Sequence, residues 1–400
     1  MHKKDIINLL GIQENLVKKV ERTQKSINIW IETKQKLHIC HSCNHYTKKV
    51  HDYRQQKIQH INIGKTVSFI FLKKRRYICN HCGKKFYEHY DFLQKYFRKS
   101  NEVFENVCHD LKQLKNFKTI ANDNHISIPT VVRYMHYYIL LSGKFNRPLP
   151  KRIGIDEFKG NCNHIKYQFH IFDLDTGKTF DILESRTYDF LENYFSKFSS
   201  KQRSKVEFVS MDLYSPFKRI IKDKLFNAHV IADIFHFTRI AIKPLDELRI
   251  DLWKNTKGKE KSYFKHLKHA LMKDSSKLKE EQKEKLEERL KYAFEFSPFL
   301  KTAYELKEKF LQIKNASTFE EKEKLFRKWL DEAESCTIQQ FKKPVKTLRQ
   351  WHQYISNSFK FNISNGPVEG KNNLIKTLKR VSFGFRNLNN FKSRILICEL

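Results

Sequence analysis

The sequence predicts an α/β chain: a mixed sheet flanked by helices, carrying a helical insertion and preceded by a cysteine-bearing N-terminal module. Three observations predict it. Short apolar runs alternate with helix-period segments across residues 149–240, which implies a partly parallel sheet with buried central strands. Lys/Glu-rich sequence of helical period then dominates residues 241–360, for example Lys277 to Arg289. Four of the eight cysteines fall between residues 40 and 82, as two C-x-x-C pairs.

Charge narrows the function class before any motif does. The chain has 78 Lys+Arg against 44 Asp+Glu, a formal net charge of +34 over 400 residues. Such self-repulsion calls for a polyanionic partner, a nucleic acid first and an anionic membrane surface second. Residues 1–150 hold 28 basic and 11 acidic residues, so half the surplus sits in that segment. With 40% hydrophobic residues, 33 Phe and 17 Tyr, the chain has the material for sizeable cores and is not a basic tail. No run approaches the roughly 20 apolar residues of a membrane span. The N-terminus lacks an apolar signal core, so a cytoplasmic location is expected and the cysteines are expected as metal ligands or buried thiols.

The first element, residues 1–95, carries Cys40-His-Ser-Cys43 and Cys79-Asn-His-Cys82. Each tight C-x-x-C turn presents two thiolates to one ion, so Cys40, Cys43, Cys79 and Cys82 are candidate ligands of a structural Zn²⁺. His38, His41, His45 and His81 lie close enough in sequence to substitute for one of them. The second element, residues 96–148, contains a helix-turn-helix candidate. Phe117–Asn124 and Pro129–Tyr138 read as two helices around a tight turn, with Pro129 suited to a first turn. Ile120, Ala121, Ile126, Val131 and Val132 supply apolar contacts between them, while Thr130, Arg133 and Tyr134 are expected to project into a major groove.

The third element, residues 149–240, begins with the strand Arg152-Ile-Gly-Ile-Asp156. Tyr167–Phe172 and Lys178–Leu183 follow, joined by an Asp175-Thr-Gly177 turn as a hairpin. Helices are expected at Tyr188–Phe198 and Ser215–Leu225, and strands at Val206–Met211 and Ala228–Ala232. Asp156 and Asp212 end apolar strands. Glu369 lies just inside a helix expected from Val368 to Lys379, with Asn365 as its cap and Pro367 in its first turn. Three converging carboxylates would hold protons unless divalent cations neutralise them, and oxygen ligands of this kind suit Mg²⁺ or Mn²⁺.

Five blocks in order carry a family resemblance. Ile155-Asp156-Glu157-Phe158, Met211-Asp212-Leu213-Tyr214 and Asn365-Gly-Pro-Val-Glu369-Gly-Lys-Asn-Asn373 resemble the catalytic blocks of bacterial insertion-sequence transposases of the ISL-three family. The cysteine module before them and Ile231-Ala-Asp233-Ile-Phe-His236-Phe237 between them are similar to further parts of that family. The resemblance implies an RNase H-like DDE core whose metal ligands are Asp156, Asp212 and Glu369, with Asp233 and His236 in support. It also implies that residues 241–360 are a helical insertion and that residues 361–400 return to the core.

The activity it implies is metal-dependent cleavage and strand transfer on double-stranded DNA at the element's terminal inverted repeats. Lys371, Lys376 and Arg380 are then expected to track the DNA backbone, as are Lys379 and Arg386. Because two ends must be joined, a homo-oligomer on DNA is expected. The rival readings are a non-catalytic DNA-binding regulator or domesticated transposase, which has no use for the acids, and a nuclease without strand transfer.

Overall fold

Alternation in Ser26-Ile-Asn-Ile-Trp-Ile31 sends Ile27, Ile29 and Ile31 to one buried face, and the first sheet is built on it. The computed structural model describes residues 8, 10–143, 147–361, 363 and 366–399. Strands β1 (Val17–Arg22) and β2 (Ser26–Ile31) pair antiparallel; β3 (His38–Ile39) and β4 (Tyr46–Thr47) form a separate small ladder. The long strands β5 (Val50–Ile63) and β6 (Thr66–Ile78) make a hairpin through Gly64, whose φ of 58° requires a residue without a Cβ penalty. The order is β1-β2-β6-β5, with β2 parallel to β6 and β7 (Lys85–Tyr87) added to β6. Ile58, Ile70 and Leu72 complete the core of this sheet.

Three helices follow: α1 (Asn101–Lys112), α2 (Phe117–Asp123) and α3 (Ile128–Leu141). Asn116 caps α2 by accepting the Thr119 N–H, and Pro129 occupies the first turn of α3 as its sequence position predicts. Val107, Leu111, Ile120, Ala121, Val131, Met135 and Ile139 form a second core, against which Ile126 and Val132 pack half-buried.

The next unit, Arg147–Ile375, is built on a five-stranded sheet. Its strands are β8 (Arg152–Phe158), β9 (Gln168–Asp173), β10 (Lys178–Leu183), β11 (Phe208–Met211) and β12 (His229–Ala232). The order is β10-β9-β8-β11-β12: β8, β9 and β10 run antiparallel, while β8, β11 and β12 run parallel. Helices α4 (Tyr188–Ser196) and α5 (Ser200–Arg203) precede β11, and α6 (Ser215–Lys224) crosses over to β12. Ends of these elements move by a residue or three from their predicted positions; their kinds and order hold.

Beyond β12 the chain is helical: α7 (Ile234–Asn255), α8 (Gly258–His266), α9 (Lys268–Met272), α10 (Glu280–Phe296), α11 (Pro298–Gln312), α12 (Phe319–Ser335), α13 (Gln339–Gln350) and α14 (His352–Phe361). The block is not a separate body. Phe310, Phe326, Trp329 and Phe341 belong to one continuous core with Ile153, Val209 and Met211 of the sheet. The Trp329 indole N–H is satisfied by the Leu306 carbonyl at 2.7 Å. Helix α14 covers edge strand β12, where Asn357 donates to the Val230 carbonyl and Ser358 to that of Ala232.

Two helices end the described chain, α15 (Gly366–Val381) and α16 (Leu388–Ile397). Asn365 lies outside the described residues, so the cap expected there is not described. Sequence boundaries place all of residues 361–400 with the catalytic core, but Lys376–Leu400 group with the N-terminal unit. The reason is apolar: Leu396 and Ile397 enter the core of α1–α3. Fully buried Arg394 donates to the carbonyls of Leu111, Gln113 and Lys115, at and beyond the end of α1. No helix among the described residues is long and apolar enough to cross a membrane.

Candidate metal centres

The two C-x-x-C turns are built alike. Asn44 donates its amide to the Cys40 carbonyl, and Gly83 does the same to Cys79. Both residues take positive φ, 57° and 69°, which reverses the chain tightly enough to aim both sulfurs of a pair inward. The Cys40 and Cys82 sulfurs are 3.6 Å apart and those of Cys43 and Cys79 3.5 Å. All four lie within 4.8 Å of one another. A tetrahedral zinc with sulfur ligands needs S–S edges of about 3.8 Å, so the donor set fits that ion.

The electrostatics agree with shared coordination. Backbone amides of Cys82 and His81 depress the Cys79 thiol to about 6. The His45 amide pulls Cys43 down, yet burial and its three sulfur neighbours push it up to about 12. Four thiolates cannot share this space without a cation. The nearby histidines do other things: His38 packs on Tyr77, His41 on Phe86, and His45 stacks on His81 at 3.8 Å.

The second centre grows from the sheet. Asp156 lies within β8, and Asp212 follows the last residue of its parallel neighbour β11; the register pairs Ile155 with Met211, so the two acids that follow stand at one level of the sheet. Asp233 follows the last residue of the next parallel strand, β12, and precedes α7, whose first turn carries His236. Asp212, Asp233 and His236 form a tight cluster, with His236 Nδ1 3.2 Å from Asp212 and Nε2 3.9 Å from Asp233. Burial, then the charge of Asp156, then Asp233 and Glu157 push the Asp212 carboxyl up to about 8. Burial likewise raises Asp156, opposed by its hydrogen bonds to the Glu157 amide and to Asn372. Carboxylates crowded this way are poorly ionised on their own and suit a divalent cation.

The structure does not gather every predicted residue. Glu369 is exposed in the first turn of α15 and lies outside the Asp212 cluster. The reason is helical phase: Val368, Asn372, Ile375 and Leu378 take the inward stripe. What α15 sends to Asp156 is Asn372, whose side-chain amide donates to the carboxylate. Sequence reasoning missed that contact, although Asn372 stood inside the quoted block. It also missed His170, wholly buried on β9 and bonded to Asn372 at 3.2 Å. Glu157 pairs with Arg186, which lies over the rings of Tyr167 and Tyr214.

The expected groove-facing residues of α3 divide. Thr130 and Tyr134 are buried, 7% and 5% exposed, and do not project. Thr130 engages Ser127 and Arg133, and Tyr134 packs between Phe97 and Phe104. Arg133 is exposed. On α15, Lys376 and Arg380 are exposed and Lys371 is half-buried.

Comparison with known proteins identifies the chain as a transposase in two parts. Residues 153–395 match the DDE transposase family model of the ISL3 class, and residues 36–82 match its zinc-ribbon model, the zinc finger of transposases IS204, IS1001, IS1096 and IS1165. The chain belongs to the ISL3 family of insertion-sequence transposases. It is 25% identical over 260 residues to the transposase for insertion sequence element IS1557 of Mycobacterium tuberculosis, covering 59% of this chain and 57% of that protein. It is 20% identical over 377 residues to the IS1001 transposase of Bordetella parapertussis, 93% of this chain and 91% of that one. A 101-residue match at 34% identity to an ATP-dependent protease of Lactococcus lactis covers a quarter of this chain and carries no functional argument.

Proposed function

We propose that this chain binds the terminal inverted repeats of an insertion sequence in double-stranded DNA, cuts the DNA there and joins the freed ends to a target. The observation that carries the reading is the placement of Asp156 and Asp212 at one level of neighbouring parallel strands, each directly after the paired Ile155 and Met211, in a chain of this family. The strand order, three antiparallel strands leading into two parallel ones, supports an RNase H-like core with residues 241–360 as its helical insertion. The packing of α2 against α3 supports a helix-turn-helix, in which exposed Arg133, bonded to the Thr130 hydroxyl, is placed to meet phosphate or base.

Asp156 and Asp212 are the proposed cation ligands, with Glu369 as the third. Glu369 stands three residues before Asn372, just under one helical turn from the contact that docks α15 on Asp156. Mg²⁺ or Mn²⁺ bound there would supply the activated oxygen nucleophile and stabilise the leaving oxygen of an in-line displacement. The protein's own part is to hold the carboxylates at one level of neighbouring strands and to keep His236 against Asp212. No side-chain nucleophile is required. The cysteine cluster holds a structural Zn²⁺, and exposed Lys376 and Arg380 contact backbone phosphates. Two element ends imply a homo-oligomer on DNA, acting on the bacterial nucleoid in the cytoplasm.

One observation favours a second assignment of the third ligand. Asp233, not Glu369, shares the compact cluster with Asp212 and His236. Cleavage of duplex DNA bearing the element's ends, with Mg²⁺, tests both. Asp156→Ala and Asp212→Ala are expected to abolish cutting with DNA binding retained; intact cutting in either overturns the catalytic reading. Loss in Glu369→Ala with activity in Asp233→Ala supports the first assignment, and the reverse supports the second.

A further inference from the structure

The strand β9 has the sequence Gln168-Phe-His-Ile-Phe-Asp173, and its middle holds a histidine between two apolar chain neighbours, Phe169 and Ile171. His170 is wholly buried, as is Thr179 on β10, and Asn372 on α15 is nearly so. A buried imidazole in such a strand is worth less to stability than a well-packed leucine unless its nitrogens are bonded, and at best breaks even when they are. Both nitrogens are bonded here. Nε2 meets the Thr179 hydroxyl at 3.1 Å and Nδ1 meets the Asn372 side-chain oxygen at 3.2 Å.

The direction of each hydrogen bond follows from its far end. Asp156 as a carboxylate only accepts, so Asn372 turns its NH₂ toward Asp156 and its oxygen toward His170. His170 must then carry a proton on Nδ1, and in its neutral form accepts on Nε2 from the Thr179 hydroxyl. The Glu157 amide donates to the other Asp156 oxygen at 2.6 Å. Both carboxylate oxygens are thereby fixed, one by backbone and one by a side-chain relay crossing β10, β9 and α15.

We propose that Thr179, His170 and Asn372 form a positioning relay that orients Asp156 for a divalent cation and holds α15 in register with β8. His170 touches neither DNA nor cation; it acts through Asn372. The inference rests on Asp156 being a cation ligand. It explains why a fully buried polar chain is kept inside an otherwise apolar layer, and why the helix that carries Glu369 is tied to the strand that carries Asp156.

The test is Mn²⁺ binding by the full-length protein, followed by electron paramagnetic resonance, with cleavage as a second readout. His170→Leu and Asn372→Ala are expected to weaken Mn²⁺ about 10- to 100-fold, the usual cost of losing a partner behind a metal ligand. His170→Gln keeps a donor toward Asn372 and is expected to recover most of the affinity. Thermal midpoints and DNA-end binding are expected to stay close to the parent's, which a purely structural role does not predict. Should His170→Leu fail to fold, Asn372→Ala and Thr179→Val still decide the matter. Mn²⁺ affinity within twofold of the parent in the folded variants overturns the relay while Asp156→Ala loses the ion. Retention of Mn²⁺ by Asp156→Ala overturns the ligand assignment and the relay with it.

Discussion

Asp156 and His170 face each other across the β8–β9 ladder, and each is bonded to the same side chain, that of Asn372. A residue from a helix more than 200 positions away in sequence thus bridges two strand neighbours. The centre proposed for DNA cutting is assembled from the sheet first and closed by α15 second. That order makes the two halves of the site separable by experiment.

The cysteine cluster predicts one tightly held zinc per chain. Metal analysis of full-length protein is expected to return one equivalent, and Cys79→Ser to lose it. Loss of a structural zinc removes folding free energy directly, so the variant's N-terminal unit is expected to melt first and to be cleaved early by protease. A zinc-free parent with an unchanged melting curve would contradict this.

Arg133 and Tyr134 are expected to behave oppositely. Arg133→Ala removes an exposed cation, so affinity for duplex DNA falls and the slope of log K against log salt drops by about 0.9. Tyr134→Phe keeps the packing against Phe97 and Phe104 and should leave affinity unchanged. Binding isotherms at several salt concentrations check both.

In the helical block, Asp246 gives a pH signature. Its carboxylate bonds Arg249 at 2.7 Å and Lys268 at 3.0 Å, and although burial opposes it, these cations hold its pKa below the ordinary carboxylate value. A depressed folded pKa contributes stability above the unfolded value near 3.9, and that stability is lost as pH falls through the folded value. Asp246→Asn leaves nearly buried Arg249 without its charge partner, and is expected to cost about 2 kcal/mol at pH 7. The gap between parent and variant in denaturant titrations should narrow as pH falls below the ordinary carboxylate value and close once it is below the depressed folded value. A gap independent of pH refutes the assignment.

Trp329→Ala is expected to destabilise the Arg147–Ile375 unit by about 3–5 kcal/mol, because it opens a cavity beside Phe310 and Phe341. Since the same core includes the sheet, loss of cleavage should accompany unfolding at the same denaturant concentration. Retained cleavage with a separately melted helical block would show the block to be independent.

Much of this was legible in the sequence because it is local. Apolar alternation marks β8, β9 and β10; the paired C-x-x-C spacing marks the sulfur cluster; Asp156 and Asp212 announce themselves by ending apolar runs. The misses are long-range. Tyr134 looks groove-facing until α1 and Phe97 pack on that side of α3. The contact of Asn372 with Asp156 depends on where α15 meets β8, which no local pattern reveals. Neither Arg394 capping α1 nor Leu396 entering the helical core has any local signal, since their partners lie about 280 residues earlier.

That last contact has a consequence for synthesis. On the ribosome α1–α3 emerge early with an open apolar flank, and the segment that seals it is translated some 250 residues later. Until then the nascent chain carries an unsealed helical unit, a natural target for chaperones and proteases. Ribosomes stalled or terminated before α16 would therefore release chains whose N-terminal helices are poorly protected. Assembly of the α1–α3 unit is timed by completion of the far end of the same polypeptide.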